Sequence, residues 1–215
     1  MNSYTVVLAA LVILSTSCLF QFSFLGIVVA NNIVCTDTSL CIATNMSDII
    51  MDDSLSNQTI YGLNGTDTLI GSKGNDSLGG GERMDQIIGG GGDDTLSGGN
   101  GSDKIMGSTG ADHISGGQGA DEIMGGEGND TIYGDEGPDA IMGGPSNDAI
   151  VGGIGSDSMN GQEGNDKIYQ GDLNSTASDG SQDIFYCGDG NDEAWINLDA
   201  DKDQPSADCE IIYKG

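Results

Sequence analysis

The sequence predicts an all-β repeat protein, built of short strands joined by tight turns, and three observations predict it. Aspartate recurs every nine residues without a slip, at Asp67, Asp76, Asp85, Asp94, Asp103, Asp112, Asp121, Asp130, Asp139, Asp148, Asp157 and Asp166. Five residues before each stands a glycine: Gly62, Gly71, Gly80, Gly89, Gly98, Gly107, Gly116, Gly125, Gly134, Gly143, Gly152 and Gly161. Two residues after each stands a single aliphatic side chain, running from Leu69 and Leu78 to Met159 and Ile168. A strict short period marks units that can bury their one apolar residue only against their neighbours.

Composition narrows the function. Glycine fills 37 of 215 positions, more than twice its usual share of about 7%. Leu, Ile, Val and Phe are too few for a layered core, and the net charge is −28. Such a chain, left to itself, reads as disordered because little apolar burial offsets its conformational entropy and self-repulsion. A packed globular enzyme is not expected on this ground, and nucleic acid and anionic membranes are poor partners for so acidic a surface. The chain contains neither H-E-x-x-H nor G-x-S-x-G, and its one histidine, His113, falls at a surface position of a repeat. No catalytic residue and no catalytic substrate are expected.

A bound cation is the substitute that the spacing of the acids selects. Numbered from its first glycine, each unit has glycine at position one, aspartate at position six and the aliphatic residue at position eight. Position four is glycine in ten units, with Arg83 and Ser146 as the exceptions. Glycine admits the left-handed backbone needed by a turn that aims carbonyls inward. Calcium takes 6–8 oxygens at about 2.3–2.6 Å, so one carboxylate per turn has to be supplemented by backbone carbonyls near the position-one glycines. Aspartate is short enough to be a ligand rooted in the turn itself.

The units resemble the nonapeptide G-G-x-G-x-D-x-U-x of the RTX, or haemolysin-type, calcium-binding proteins, over Gly62 to Tyr169. The resemblance implies a right-handed parallel β-roll in which G-G-x-G-x-D is the turn, x-U-x the strand, and two units make one coil. Calcium then lies between turns stacked one coil apart. Aspartates pair at eighteen residues, Asp67 through Asp157 on one edge and Asp76 through Asp166 on the other. Five gaps per edge would hold about ten calcium ions in all, bringing −28 to about −8, an ordinary charge for a soluble domain. At position four of its unit, Arg83 is a candidate to replace the cation in the gap beside it.

Position nine alternates as a two-strand coil predicts. One set is Ile70, Ile88, Met106, Met124, Met142 and Asn160; the other is Gly79, Ser97, Ser115, Tyr133, Val151 and Tyr169. With position eight inward, positions seven and nine face outward. The first set forms an apolar row about 19 Å long. It is an interaction face for a homodimer or a cell-surface or matrix partner, or else it is covered by a terminal segment or simply exposed.

The flanks complete the organisation. Residues 1–30 are uncharged and largely apolar, ending in Val28-Val29-Ala30, which reads as a secretory signal with Asn31 as the mature start. The alternative is an uncleaved anchor, since about 20 apolar residues span a bilayer; a lipoprotein cleavage at Cys18 fits less well. Residues 31–61 form an N-terminal cap and 170–215 a stretch of degenerate repeats and a C-terminal cap. Cys35, Cys41, Cys187 and Cys209 allow three connectivities, and local pairing, Cys35 with Cys41 and Cys187 with Cys209, is expected. Export makes disulfides natural, and the absence of C-x-x-C spacing argues against zinc. Asp183 and Asp192 resume the nine-residue step after a gap of seventeen, as a shortened repeat or around a looped-out insertion. These two are further candidate calcium ligands, with Phe185 and Trp195 closing the end. Asp199, Asp201, Asp203 and Glu210 sit at positions 1, 3, 5 and 12 of an EF-hand loop, but Gln204 replaces its glycine. That tail is a further calcium site or a solvated acidic loop. Asn-x-Ser/Thr sequons occur at Asn45, Asn57, Asn64, Asn75, Asn100, Asn129 and Asn174.

The function expected is that of a secreted calcium-binding repeat protein whose roll folds on binding Ca2+, with a structural or interaction role outside the cell. The alternatives are a calcium-dependent adhesin or polysaccharide-binding module, or an accessory part of an exported hydrolase.

Overall fold

A computed structural model describes residues 32–35, 40–52, 55–171, 181–196, 204–205, 208–209 and 211–214. The signal or anchor at 1–30, the sequon at Asn174 and the EF-hand-like Asp199, Asp201, Asp203 and Glu210 lie outside the described residues. Among the described residues, no helix is long and apolar enough to cross a membrane.

Among the described residues, everything regular is strand. The first ten are β1 (Asn32–Cys35), β2 (Cys41–Ile42), β3 (Ile49–Asp52), β4 (Thr59–Asn64), β5 (Thr68–Ile70), β6 (Ser77–Glu82), β7 (Gln86–Gly91), β8 (Thr95–Asn100), β9 (Lys104–Thr109) and β10 (His113–Gln118). The second ten are β11 (Glu122–Glu127), β12 (Thr131–Glu136), β13 (Ala140–Pro145), β14 (Ala149–Ile154), β15 (Ser158–Glu163), β16 (Lys167–Tyr169), β17 (Ile184–Asp189), β18 (Glu193–Ile196), β19 (Gln204–Pro205) and β20 (Ile211–Lys214). Odd-numbered strands form one ten-stranded parallel sheet and even-numbered strands a second, each in chain order. The chain is therefore a parallel β-solenoid that changes sheet at every unit. In the regular coils partners lie eighteen residues apart, as in Ile114↔Ile132 and Ile105↔Ile123.

One expectation needs correction. Most strands of the repeat are six residues long, not three. They run from position seven through position three of the next unit, so only positions four to six remain as turn. The reason is stacking: an identical coil above and below offers a partner to every backbone group, and the ladder resumes past position one, as in Gly117↔Asp135 and Gln118↔Glu136. Position two bends the chain back into register with a left-handed backbone. Gly117 shows why glycine suits it, with φ of 107° and a Cβ that would run into the Gly99 carbonyl. Leu63, Ser108, Asp135 and Gln162 take the same region at position two, at φ 74° to 87°, which costs a side-chain-bearing residue roughly 1–2 kcal/mol.

The interior is one residue thick. Position-eight side chains from both sheets form a single column from Ile50 and Ile60 to Ile150 and Ile168, all at most 3% exposed. Branched aliphatics fit a pleated, fully buried row. One coil before the last described strands, bulky Phe185 and small Ala194 take the same position in the two sheets. Disulfides join Cys35 to Cys41 and Cys187 to Cys209, the local pairing expected. The gap before Asp183 is an insertion: β15 pairs directly with β17 and β16 with β18, so this coil spans 26 residues where a regular one spans 18.

Candidate metal centre

Each repeat aspartate is placed by its turn so that the two carboxylate oxygens meet different surroundings. The Oδ1 atom accepts the backbone N–H of the aspartate one coil earlier. Asp67 N–H donates to Asp85 Oδ1 at 2.7 Å, Asp103 N–H to Asp121 Oδ1 at 2.7 Å and Asp112 N–H to Asp130 Oδ1 at 2.8 Å. The bonds continue as two unbroken ladders. One carries Asp67, Asp85, Asp103, Asp121, Asp139, Asp157 and then Asp183. The other carries Asp76, Asp94, Asp112, Asp130, Asp148, Asp166 and then Asp192. All fourteen side chains are buried, none above 3% exposed. The two edges are those the eighteen-residue coil predicts.

The Oδ2 atoms are the chemical anomaly. In Asp67, Asp85, Asp94, Asp103, Asp112, Asp121, Asp130, Asp139, Asp148 and Asp166 this oxygen is buried and has no hydrogen-bond partner. An isolated carboxylate in such a place costs several kcal/mol. The oxygen points at the position-one glycine of its own unit. A Cβ on Gly116 would lie 2.5 Å from Asp121 Oδ2 and 2.6 Å from the Gly134 carbonyl oxygen one coil on. On Gly62 it would lie 2.8 Å from Asp67 Oδ2 and 2.5 Å from the Gly80 oxygen. The same pair of oxygens converges on Gly71, Gly80, Gly89, Gly98, Gly107, Gly125, Gly134 and Gly143. At Gly152 and Gly161 the carbonyls of Gln170 and Cys187 take the glycine's part. Position one is thus glycine because two oxygens occupy the space a side chain would fill.

The electrostatics match this geometry. Burial pushes the carboxyl of Asp139 and Asp148 up to about 8, Asp85 and Asp94 to about 7, and Asp103, Asp130 and Asp166 to about 6. Asp67, Asp76, Asp112 and Asp121 are raised as well, again chiefly by burial. The hydrogen bond from the backbone opposes the shift in each, and neighbouring carboxylates on the ladder add to it at several positions. Without a counter-charge these rows are poised to take up protons near neutrality.

The donor set is all oxygen, carboxylate and carbonyl, which suits a hard cation such as calcium. Among the described residues no three His, Cys, Asp or Glu side chains converge, so backbone carbonyls have to complete any coordination shell. Arg83 does not take a cation's place: it is exposed, and Asp85 Oδ2 beside it still has no partner.

Two members of the ladders escape the nine-residue pattern. Asp48 N–H donates to Asp67 Oδ1 at 2.7 Å and Gln58 N–H to Asp76 Oδ1 at 2.8 Å. Asp48 stands nineteen residues before Asp67, one out of step, but Asp48-Ile49-Ile50 and Gln58-Thr59-Ile60 carry the same polar-x-aliphatic ending that the repeat uses. A second, outer ladder was also unforeseen: Asn147 N–H donates to Asn129 Oδ1 and Asn165 N–H to Asn147 Oδ1.

A parallel solenoid with laddered aspartates and glycine cradles defines a repeat protein whose turns offer all-oxygen cradles fit for a hard cation. The family of RTX calcium-binding nonapeptide repeats (four copies) matches residues 54–82, 79–114, 97–132, 106–141 and 133–168, together more than half of the chain. The chain belongs to this family, and with it goes calcium binding. Comparison with curated proteins finds no match.

Proposed function

We propose that this is an exported calcium-binding protein whose roll folds as calcium enters between stacked turns, and whose role is structural or interactive at the cell exterior. The carrying observation is the row of buried Oδ2 atoms without hydrogen-bond partners, each aimed with a backbone carbonyl into one cradle. Asp67 through Asp166, with Asp183 and Asp192, would hold the ions together with carbonyls of the position-one glycines. Bound calcium would supply the positive charge that the ladder lacks. Folding and binding are then one equilibrium, at the millimolar calcium typical of extracellular modules. Two disulfides support an oxidising location, and the apolar first thirty residues support export. The reading is non-enzymatic, since each buried carboxylate is spoken for by the ladder and its cradle.

The test is circular dichroism and calcium titration of the purified protein. Calcium is expected to produce the β spectrum, with several ions bound per chain, and chelator to remove it. An unchanged β spectrum in chelator would sink the reading.

A further inference from the structure

The geometry points to a second copy of this chain as the occupant of the outer face of the odd-numbered sheet. The two rolls run antiparallel, related by a twofold axis that lies along the strands, between β9 and β11. This rests on the interaction role proposed above and names its partner.

The argument begins with charge. A chain of net −28 can meet a copy of itself only where its acids are absent. Positions seven and nine of the eight odd-numbered strands β3 to β17 carry one lysine and one glutamate, and those two, Lys104 and Glu122, form an ion pair with each other; the exposed acids Glu127, Glu163 and Asp189 stand at the far ends of β11, β15 and β17, off these two rows. Both lie exposed, side by side in register on β9 and β11. They also stand at the middle of the eight strands, with three on either side.

A twofold axis at that midpoint makes the face self-complementary, as an isologous interface requires. Lys104 comes opposite the partner's Glu122, and Met106 opposite the partner's Met124. Outward from the centre, Ile88 meets the partner's Met142, and Thr68 the partner's Ser158. At the ends, Ile49 and Met51 meet the partner's Ile184 and Tyr186. These four end residues are the test of the pattern, because all are exposed, at 41%, 39%, 43% and 48%. The apolar row expected from the sequence thus runs further than Ile70 to Met142, since Met51↔Ile70 and Asn160↔Tyr186 continue its register.

Shape and size agree. A shallow groove of about 140 Å³, lined by Ile88, Met106, Met124 and Met142, crosses the centre, where methionine is suited to fill an irregular gap. Eight strands span about 34 Å. With side chains from two rows, the pair would bury about 1,000 Å² in total, the lower edge of a specific interface. The outer face of the other sheet has no such symmetry: its position-nine row is Gly79, Ser97 and Ser115 in one half and Tyr133, Val151 and Tyr169 in the other, with Tyr169 stacked on Trp195 at 4.4 Å.

Sedimentation velocity in millimolar calcium, with circular dichroism on the same samples, tests the proposal. At tens of micromolar the wild-type chain is expected to be a dimer. Lys104→Glu and Glu122→Lys each place like charges across the twofold axis and should weaken dimerisation at least tenfold. An equimolar mixture of the two variants pairs opposite charges again and should recover the dimer as a heterodimer. A β-rich wild-type monomer at that concentration overturns the proposal, as does a mixture that stays monomeric while the wild type dimerises. So does a β-rich monomer that binds phosphatidylcholine vesicles through this face, which would make a lipid surface the occupant. Loss of the β spectrum in calcium would instead strike the calcium reading itself.

Discussion

Asp48 in the first coils and Asp121 in the middle of the roll occupy equivalent rungs of one ladder and are equally buried, yet they are satisfied in different ways. The Oδ2 atom of Asp48 accepts the Thr44 N–H at 2.8 Å and the Thr44 hydroxyl at 2.7 Å. The Oδ2 atom of Asp121 has no hydrogen-bond partner and faces the Gly116 cradle. The protein therefore commands a purely internal solution to a buried carboxylate and uses it at the end of the roll. In the repeats Asp76 keeps part of that solution, its Oδ2 accepting the Ser72 N–H at 3.1 Å, while ten of the other aspartates leave Oδ2 without a hydrogen-bond partner. The difference teaches that the cradle beside these aspartates is built, by a glycine and a bare oxygen together, rather than left over from poor packing.

The largest way to break this contrast is to fill a cradle. Gly116→Ala sets a methyl group against both Asp121 Oδ2 and the Gly134 carbonyl and is expected to cost about 3 kcal/mol or more, read as a shift in the calcium-driven folding midpoint. Gly79→Ala, whose Cβ meets only the Tyr61 ring at 3.3 Å, should cost about 1 kcal/mol or less. Equal losses in the two variants would remove the special status of position one.

Opening the Cys187–Cys209 bridge comes next. Its sequence separation of 22 corresponds to about 3 kcal/mol in the chain-entropy model. Thermal melts of the Cys187→Ala, Cys209→Ala variant should show that loss, while calcium stoichiometry stays that of the wild type. A drop in bound ions would mean that the cap also supports the binding rungs.

Thr44→Val probes the internal solution itself. It deletes the hydroxyl bond to Asp48 but keeps the backbone one, at an expected cost of about 2 kcal/mol. The calcium dependence of folding should be unaltered, since no cradle is touched; a shifted calcium midpoint would show that Asp48 works with the repeat aspartates after all.

The mildest probe is pH. The folded carboxyls of Asp139 and Asp148 titrate near 8, and those of Asp85 and Asp94 near 7, above their ordinary value. A raised folded value means stability that is complete at low pH and lost as pH rises through the folded value. In chelator, the β spectrum lost at pH 8 is therefore expected to return in part as pH falls towards 5. In calcium the trend should reverse over the same window, because protons compete for the ligands. A chelated protein equally unstable across that range would contradict buried, cation-free carboxylates.

Much of this was legible because a strict period exposes itself without knowledge of tertiary contacts. The aliphatic column follows from spacing and residue type, the two aspartate edges from the two-unit coil that the family resemblance implies, and the local disulfides were the expected one of three connectivities. Strand length did not, since Gly-Gly after position nine reads locally as a turn, while the neighbouring coil makes it part of a ladder. Nor did the left-handed backbone of Leu63 and Asp135, where stacking overrides what those residues prefer alone. Asp48 was hidden by a single extra residue; Asp183 and Asp192 were legible as a resumed nine-residue step, but that the gap before them is an insertion only the paired strands disclose.

Because successive nonapeptides alternate between the two sheets, the fold has a reading frame of two. Excising eighteen residues would shorten the roll and leave every surviving side chain on its own face. Excising nine would keep each aspartate in line for the interior yet send everything downstream to the opposite sheet, scrambling methionines with serines and tyrosines. Length is thus free to drift in this protein, but parity is not.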